Sequence, residues 1–172
     1  MNIFLIGYMG SGKSTIGRKL SSRLGVPLVD TDAEIEKMEG MSISEIFEQH
    51  GEEYFRLRER QMLEAAAQLN QPTIVSTGGG LPVWRDNMER MNELGLCVYL
   101  HRTAENIASR LSPRGREKRP KLRGLNDQEL VEFMRCGIAE RDAIYSKASL
   151  RIAAECYDDE AILDIIIAHI NE

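Results

Sequence analysis

Ile3-Phe4-Leu5-Ile6-Gly7-Tyr8-Met9-Gly10-Ser11-Gly12-Lys13-Ser14 is the stretch on which the fold turns. The leading apolar run reads as a buried strand, and Gly7 to Ser14 fits GxxxxGKS at the point where a strand hands over to a helix. Glycine permits backbone angles and close approaches denied to other residues. Successive N–H groups and a helix N-terminus can therefore surround phosphates, as a nucleoside triphosphate requires. Lys13 would neutralise β- and γ-phosphate charge. The Ser14 hydroxyl would ligate Mg²⁺, a hard cation that takes few oxygen ligands from protein. The alternative is a glycine-rich turn with an incidental lysine, against which strand before and helix after both weigh.

Outward from this loop, short apolar runs alternate with longer helical patterns, the signature of βαβ units and a largely parallel sheet. Lys13 to Leu24 carries Ile16, Leu20 and Leu24 at helical spacing and is closed by Gly25. Val26 to Val29 reads as a second strand delivering Asp30 and Asp32. A helical region follows from about Ala33 to Ala67, interrupted near Gly40 and Gly51, with Ser42 and Glu45 placed for a capping box. Pro72 to Ser76 is a third strand ending in Thr77-Gly78-Gly79-Gly80, and Leu96 to Leu100 a fourth, with a helix around Trp84 to Leu94 between them. Leu150 to Ile152 suits a fifth strand. Asp158 to Ile170 suits a closing helix with Ala161, Ile162, Ile165, Ile166 and His169 on one face.

A chain of 172 residues, 42% hydrophobic and 28% charged, describes one soluble globular domain over 1–172. The net charge of -5 argues against nucleic-acid or anionic-membrane binding, which needs a basic surface. Cys97, Cys136 and Cys156 have no CxxC spacing, so neither a disulfide framework nor a zinc site is indicated. Thiols in a reducing cytoplasm fit. The apolar run at the start is too short for a signal peptide or a membrane span.

Three further groups carry chemistry. A GTPase or large ATPase would place an aspartate after the third strand, where this chain has hydroxyls and glycines. Asp30 and Asp32 are the available substitutes, one near the metal and one free to meet an acceptor hydroxyl, unless one simply caps a helix. Arg56, Arg58 and Arg141 lie in helical patterns. Converging on a cleft they would select an anion through paired hydrogen bonds, with Glu59 one turn from Arg56 to hold it; spread over the surface they would form ordinary ion pairs. Residues 112–124 hold six basic residues and one acidic residue. They are expected to form a flexible basic loop that packs no core and closes as a lid over phosphates, unless it is merely a surface loop.

The phosphate loop, Asp30-Thr31-Asp32 before Ile35-Glu36, Phe55-Arg56, Gly78-Gly79-Gly80, Arg119-Pro120 and Arg141 followed by Tyr145 occur in an order that resembles the shikimate kinases, P-loop kinases related in fold to nucleoside monophosphate kinases. The resemblance runs nearly end to end. It implies a three-layer α/β/α fold with a central five-stranded parallel sheet and a mobile lid, the third strand beside the first. It also implies transfer of the ATP γ-phosphate to the 3-hydroxyl of shikimate in aromatic biosynthesis, by a cytoplasmic protein expected to be a monomer. In that reading Gly10, Ser11, Gly12, Lys13, Ser14, Thr15, Arg110 and Arg119 hold ATP, and Ser14 and Asp30 serve Mg²⁺. Asp32, Arg56, Gly78, Gly79, Gly80 and Arg141 hold shikimate within a substrate-binding region of about 33–61. Lys13, Asp32 and Arg119 act in catalysis.

Lys121 stands in the lid where an apolar residue is more usual in that family. The later adenine-contacting loop is not recognisable, and Arg58 has no assignable role. A gluconate or nucleoside monophosphate kinase on the same fold is the nearest rival, and a non-catalytic ligand-binding relative is another.

Overall fold

The chain's computed structural model describes residues 1–171. Five strands, β1 (Asn2–Ile6), β2 (Leu28–Asp30), β3 (Ile74–Ser76), β4 (Gly95–His101) and β5 (Leu150–Ala153), form one sheet in the order β2-β3-β1-β4-β5. Every neighbouring pair is parallel, with Phe4 opposite Val75 on one side and Cys97 on the other. The helices are α1 (Lys13–Leu24), α2 (Thr31–Glu39), α3 (Ile43–His50), α4 (Glu52–Ala67), α5 (Asn87–Leu94), α6 (Ala104–Arg110), α7 (Pro113–Glu117), α8 (Asp127–Tyr145) and α9 (Asp159–Ile170).

A central parallel strand is buried on both faces, which is why β1 is continuously apolar after Asn2. Side chains alternate across it. Phe4 and Ile6 join Val75, Cys97 and Tyr99 under Leu63, Met88, Met91, Leu130, Met134 and Tyr145 of α4, α5 and α8. Ile3 and Leu5 join Ile74, Val98 and Leu100 under Ile16, Leu20, Ile162, Leu163 and Ile166 of α1 and α9. Each such side chain contributes on the order of 1.5 to 3 kcal/mol by leaving water, so the two clusters fix the three layers. A smaller cluster of Ile35, Ile46 and Phe55 ties α2, α3 and α4 into the outlying helical region.

Local signals hold where the caps are strong. Gly25 ends α1 with φ 67°, and the Ser42–Glu45 capping box forms. Other boundaries move. β2 starts two residues later than Val26 because Pro27 has no N–H for the ladder, although its carbonyl accepts from Ile74 N at 2.9 Å. α2 then begins at Thr31, where the Asp30 side chain accepts from Ala33 N. The helix expected from Trp84 starts at Asn87, after Arg85 takes a left-handed φ of 51°. In α9 the fully buried side is Ile162, Leu163 and Ile166, one step round from the expected stripe.

The largest correction concerns residues 112–124, expected to be a flexible loop outside the core. Ser112 caps α7 by accepting from Gly115 N at 3.0 Å with Pro113 at the first position, and Pro120–Leu122 makes a 3₁₀ turn. Leu122 is 1% exposed and packs in the cluster that contains Leu130 and Met134. The basic residues set the composition of this segment, but its one leucine anchors it.

Candidate functional site

Parallel strands present their C-terminal ends to a common crevice. Here the ends of β1, β2 and β3 open onto a cleft of about 400 Å³ lined by Gly10, Gly12, Lys13, Ser14, Thr15, Asp30, Asp32, Gly78, Gly79, Arg110 and Arg119. A wider hollow of about 550 Å³ lies beneath α7, lined by Pro113, Arg116 and Leu122. It offers no glycine loop and only one carboxylate, Glu117, so the chemistry belongs to the smaller cleft.

Gly10 and Gly12 take φ of 76° and 100°, which let the chain between Ile6 and α1 curl back on itself, closed by Ser11 N donating to Tyr8 O at 3.2 Å. Lys13 Nζ lies over this loop, donating to the carbonyls of Gly7 at 2.8 Å and Tyr8 at 3.0 Å. Burial lowers the pKa of Lys13 to about 8, against the opposing pull of Asp32 and Asp30. A triphosphate in the loop would draw this ammonium towards it and hold the proton on. Arg110 approaches the loop at Gly12, while Arg119 Nη1 is turned back onto Gly115 O at 2.7 Å.

Asp30 caps a helix and also reaches the phosphate loop. Its Oδ1 caps α2 through Ala33 N at 3.2 Å, and its Oδ2 accepts from the Ser14 hydroxyl at 3.1 Å. Among the described residues no group of three or more His, Cys, Asp or Glu could hold a metal. Two adjacent protein oxygens in a phosphate-sized cleft fit Mg²⁺, which completes its shell with phosphate oxygens and water.

On the other side of the cleft, Asp32 Oδ1 and Glu59 Oε1 are both buried without a hydrogen-bond partner among the described residues. They converge on Gly78, where a Cβ would stand 2.6 Å from Asp32 Oδ1 and 2.8 Å from Glu59 Oε1. Burial, then the neighbouring Asp30, raises the Asp32 pKa to about 6; burial is also the leading cause that raises Glu59 to about 7. Glu59 is 0% exposed and accepts from Arg56 Nη1 at 2.6 Å, while Glu52 accepts from Arg56 Nη2 at 3.3 Å. The Arg56 guanidinium lies directly against Gly80, leaving no room there for a side chain.

Arg141 reaches the same corner from α8. Its Nη1 donates to Gly137 O at 2.7 Å and its guanidinium stands 5.6 Å from the Tyr8 ring centre. A Cβ on Gly137 would lie 2.5 Å from the Tyr8 hydroxyl, which explains a glycine inside a helix where it costs about 1 kcal/mol. Tyr145, wholly buried, donates to Gly79 O at 2.5 Å and feels the charges of both Arg141 and Arg56. Arg56, Arg141 and the triple-glycine turn therefore meet at Tyr145.

Most of the expected site residues stand together in or beside the cleft. Arg56, Gly80 and Arg141 adjoin it rather than line it, and Gly78 enters by lacking a side chain, since its N–H donates to Thr31 Oγ1 at 3.0 Å. Arg58 belongs elsewhere. It pairs with Glu39 at 2.6 Å and donates to Tyr54, tying α4 to the end of α2. Sequence reasoning passed over Tyr8, Gly137 and Thr31; a glycine mid-helix was the one visible signal among them.

Over residues 9–171 the chain matches the sequence profile of a family described as shikimate kinase. A shikimate kinase of Parabacteroides distasonis is 41% identical over 153 residues, covering 89% of this chain and 87% of that one. The crystal structure of a shikimate kinase from Bacteroides thetaiotaomicron superposes with a TM-score of 0.91 at 34% identity, covering 100% of this chain and 99% of that one. A shikimate kinase from Acinetobacter baumannii in complex with shikimate superposes with a TM-score of 0.80 at 32% identity, over 98% and 93% of the two chains.

Proposed function

Since the chain belongs to the shikimate kinase family, we propose that it transfers the γ-phosphoryl group of ATP to the 3-hydroxyl of shikimate, giving shikimate 3-phosphate and ADP on the way to aromatic amino acids. The observation that carries this reading is the corner where Arg56 is held by the buried Glu59, beside Asp32 and the triple glycine and facing the phosphate loop. A guanidinium fixed by a buried carboxylate suits a substrate carboxylate, and Asp32 suits a ring hydroxyl. Hydroxyl and carboxylate on one small molecule are what the two half-sites ask for.

The roles we propose are those the family resemblance implies, and the placement of the residues supports them. Arg56 and Arg141 take the carboxylate of shikimate, and the Gly79–Gly80 backbone comes close to its ring. Asp32, ionised for the most part at pH 7 with a pKa of about 6, accepts a hydrogen bond from the 3-hydroxyl and orients its oxygen towards the γ-phosphorus. As that oxygen bonds to phosphorus, the bond to the β-bridging oxygen breaks, and the hydroxyl proton passes to Asp32 or to solvent. Phosphoryl transfer asks more for alignment and charge balance than for a strong base. Lys13 leaves the Gly7 and Tyr8 carbonyls for the β- and γ-phosphates. Arg119 releases Gly115 to join it, and Arg110 covers the adenine with its planar guanidinium. Mg²⁺ bound by Ser14, with Asp30 behind it, would offset charge on the β- and γ-phosphates.

Residues 112–124 act as the lid, hinging on either side of the Leu122 anchor, and residues 33–61 serve as the acceptor-binding region. One chain supplies every residue of this site, so a monomer suffices. Among the described residues no helix is long and apolar enough to cross a membrane. The three cysteines are free, which suits the reducing cytoplasm where ATP and metabolites meet. The test is ADP release from Mg-ATP with shikimate, gluconate and nucleoside monophosphates offered in turn. Turnover with shikimate alone supports the reading; turnover with another acceptor and none with shikimate overturns it.

A further inference from the structure

We propose that Arg102, outside the GxxxxGKS motif and not among the residues lining the cleft, is a positioning residue of the phosphate loop that raises nucleotide affinity through the Ser11–Gly12 peptide. The proposal rests on the reading of that loop as the ATP site. Arg102 is the first residue after β4, the strand paired with β1 so that Ile6 faces Tyr99. It is 5% exposed. Its Nε donates to the Ser11 carbonyl at 3.0 Å, and its Nη1 to Asn106 Oδ1 at 3.0 Å.

Among the described residues Arg102 forms no ion pair, and the carboxylates that act on it are engaged elsewhere. Glu155 accepts from Thr103 N at 3.1 Å and Thr103 Oγ1 at 2.8 Å, and Asp159 pairs with Lys19 at 2.9 Å. Burial, then the charge of Arg110, pushes the Arg102 pKa down, yet a guanidinium keeps its proton at any working pH. A buried cation without a counter-charge is costly and persists where something offsets it. The Ser11 oxygen and the Gly12 N–H belong to one planar peptide and point in opposite directions. A charged donor on the oxygen polarises that unit and strengthens donation by the N–H on its far side. Gly12 is the N-cap of α1 and lines the cleft, so the added strength falls on the nucleotide phosphates and is independent of the acceptor.

The test is calorimetric titration of wild type, Arg102→Met and Arg102→Lys with ADP and with shikimate, alongside melting of the unliganded proteins. The expected result is a loss of about tenfold in ADP affinity for Arg102→Met, with shikimate affinity unchanged and the free protein melting no lower than wild type. Arg102→Lys should recover most of the loss. Unchanged ADP affinity in Arg102→Met overturns the proposal, as does a fall in melting temperature with parallel loss of both ligands. Failure of the wild type to bind ADP would instead overturn the reading of the loop. Should Arg102→Met give no folded protein, Arg102→Gln carries the same comparison.

Discussion

Replacing Arg56 by alanine separates binding from stability in a way this site makes calculable. Arg56 spends one bond on Glu59 at 2.6 Å and a longer one on Glu52 at 3.3 Å, and among the described residues its remaining N–H groups have no other hydrogen-bond partner, leaving them for a substrate carboxylate. Truncating one partner of such a charge-assisted pair costs on the order of 2 to 4 kcal/mol, which is about 30-fold to 700-fold in shikimate affinity. The fold should suffer less. Stranding a buried charge costs about 3 to 5 kcal/mol, but Glu59 already sits at a pKa of about 7 and escapes by taking a proton. At neutral pH the stability loss should therefore stay near 1 kcal/mol, about that of one hydrogen bond, and it should grow as pH rises above 7. Calorimetric titration with shikimate and ADP, with melting curves at pH 6 and pH 8, measures all of this. Unchanged shikimate affinity, or equal loss of both ligands, would refute the placement of Arg56; a stability loss larger at pH 6 than at pH 8 would refute the argument about Glu59.

Asp32→Asn, which keeps shape but loses charge and proton acceptance, should lower turnover at least a hundredfold, in the range of general acid–base effects of about 10² to 10⁴, while ADP affinity changes little; steady-state kinetics with ADP titration checks both. Gly80→Ala would place a Cβ 2.5 Å from Arg56 Cζ and displace a guanidinium held by Glu59, so the KM for shikimate should rise at least tenfold with the KM for ATP unchanged. Because burial raises the folded pKa of Glu59 from 4.5 to about 7, the stability its carboxyl contributes is complete below pH 4.5 and is lost as pH rises through 7. The loss is about 3 kcal/mol, and Glu59→Gln should flatten that part of the stability curve in denaturant titrations across this range.

What was legible in the sequence was local or repeated. The phosphate loop carries its glycines, lysine and serine in a single run, and the strand–helix alternation gave a largely parallel sheet, whose five-stranded order and three layers came only with the family resemblance. Arg56 and Glu59 stand one turn apart on α4, so their pairing followed from helical spacing. Residues joined only by the fold were silent: Tyr145 and Gly79 are 66 positions apart, and Arg102 and Ser11 are 91 apart. Composition misled at 112–124, where six basic residues outweighed one leucine that the core requires. The unpartnered oxygens of Asp32 and Glu59 depend on how closely α2 and α4 approach the triple glycine, which no spacing rule conveys. Arg58 had no role that spacing could assign, because its partner Glu39 lies on another helix and only the fold brings the two together.

The central claim is that the phosphate loop and the arginine corner act on one phosphoryl group, and proton–phosphorus correlation NMR of the products from Mg-ATP and shikimate tests it most directly. The account predicts ADP together with an equal amount of a phosphomonoester coupled to the ring proton at carbon 3 of shikimate. Inorganic phosphate without an ester, or an ester on another ring hydroxyl, would contradict it.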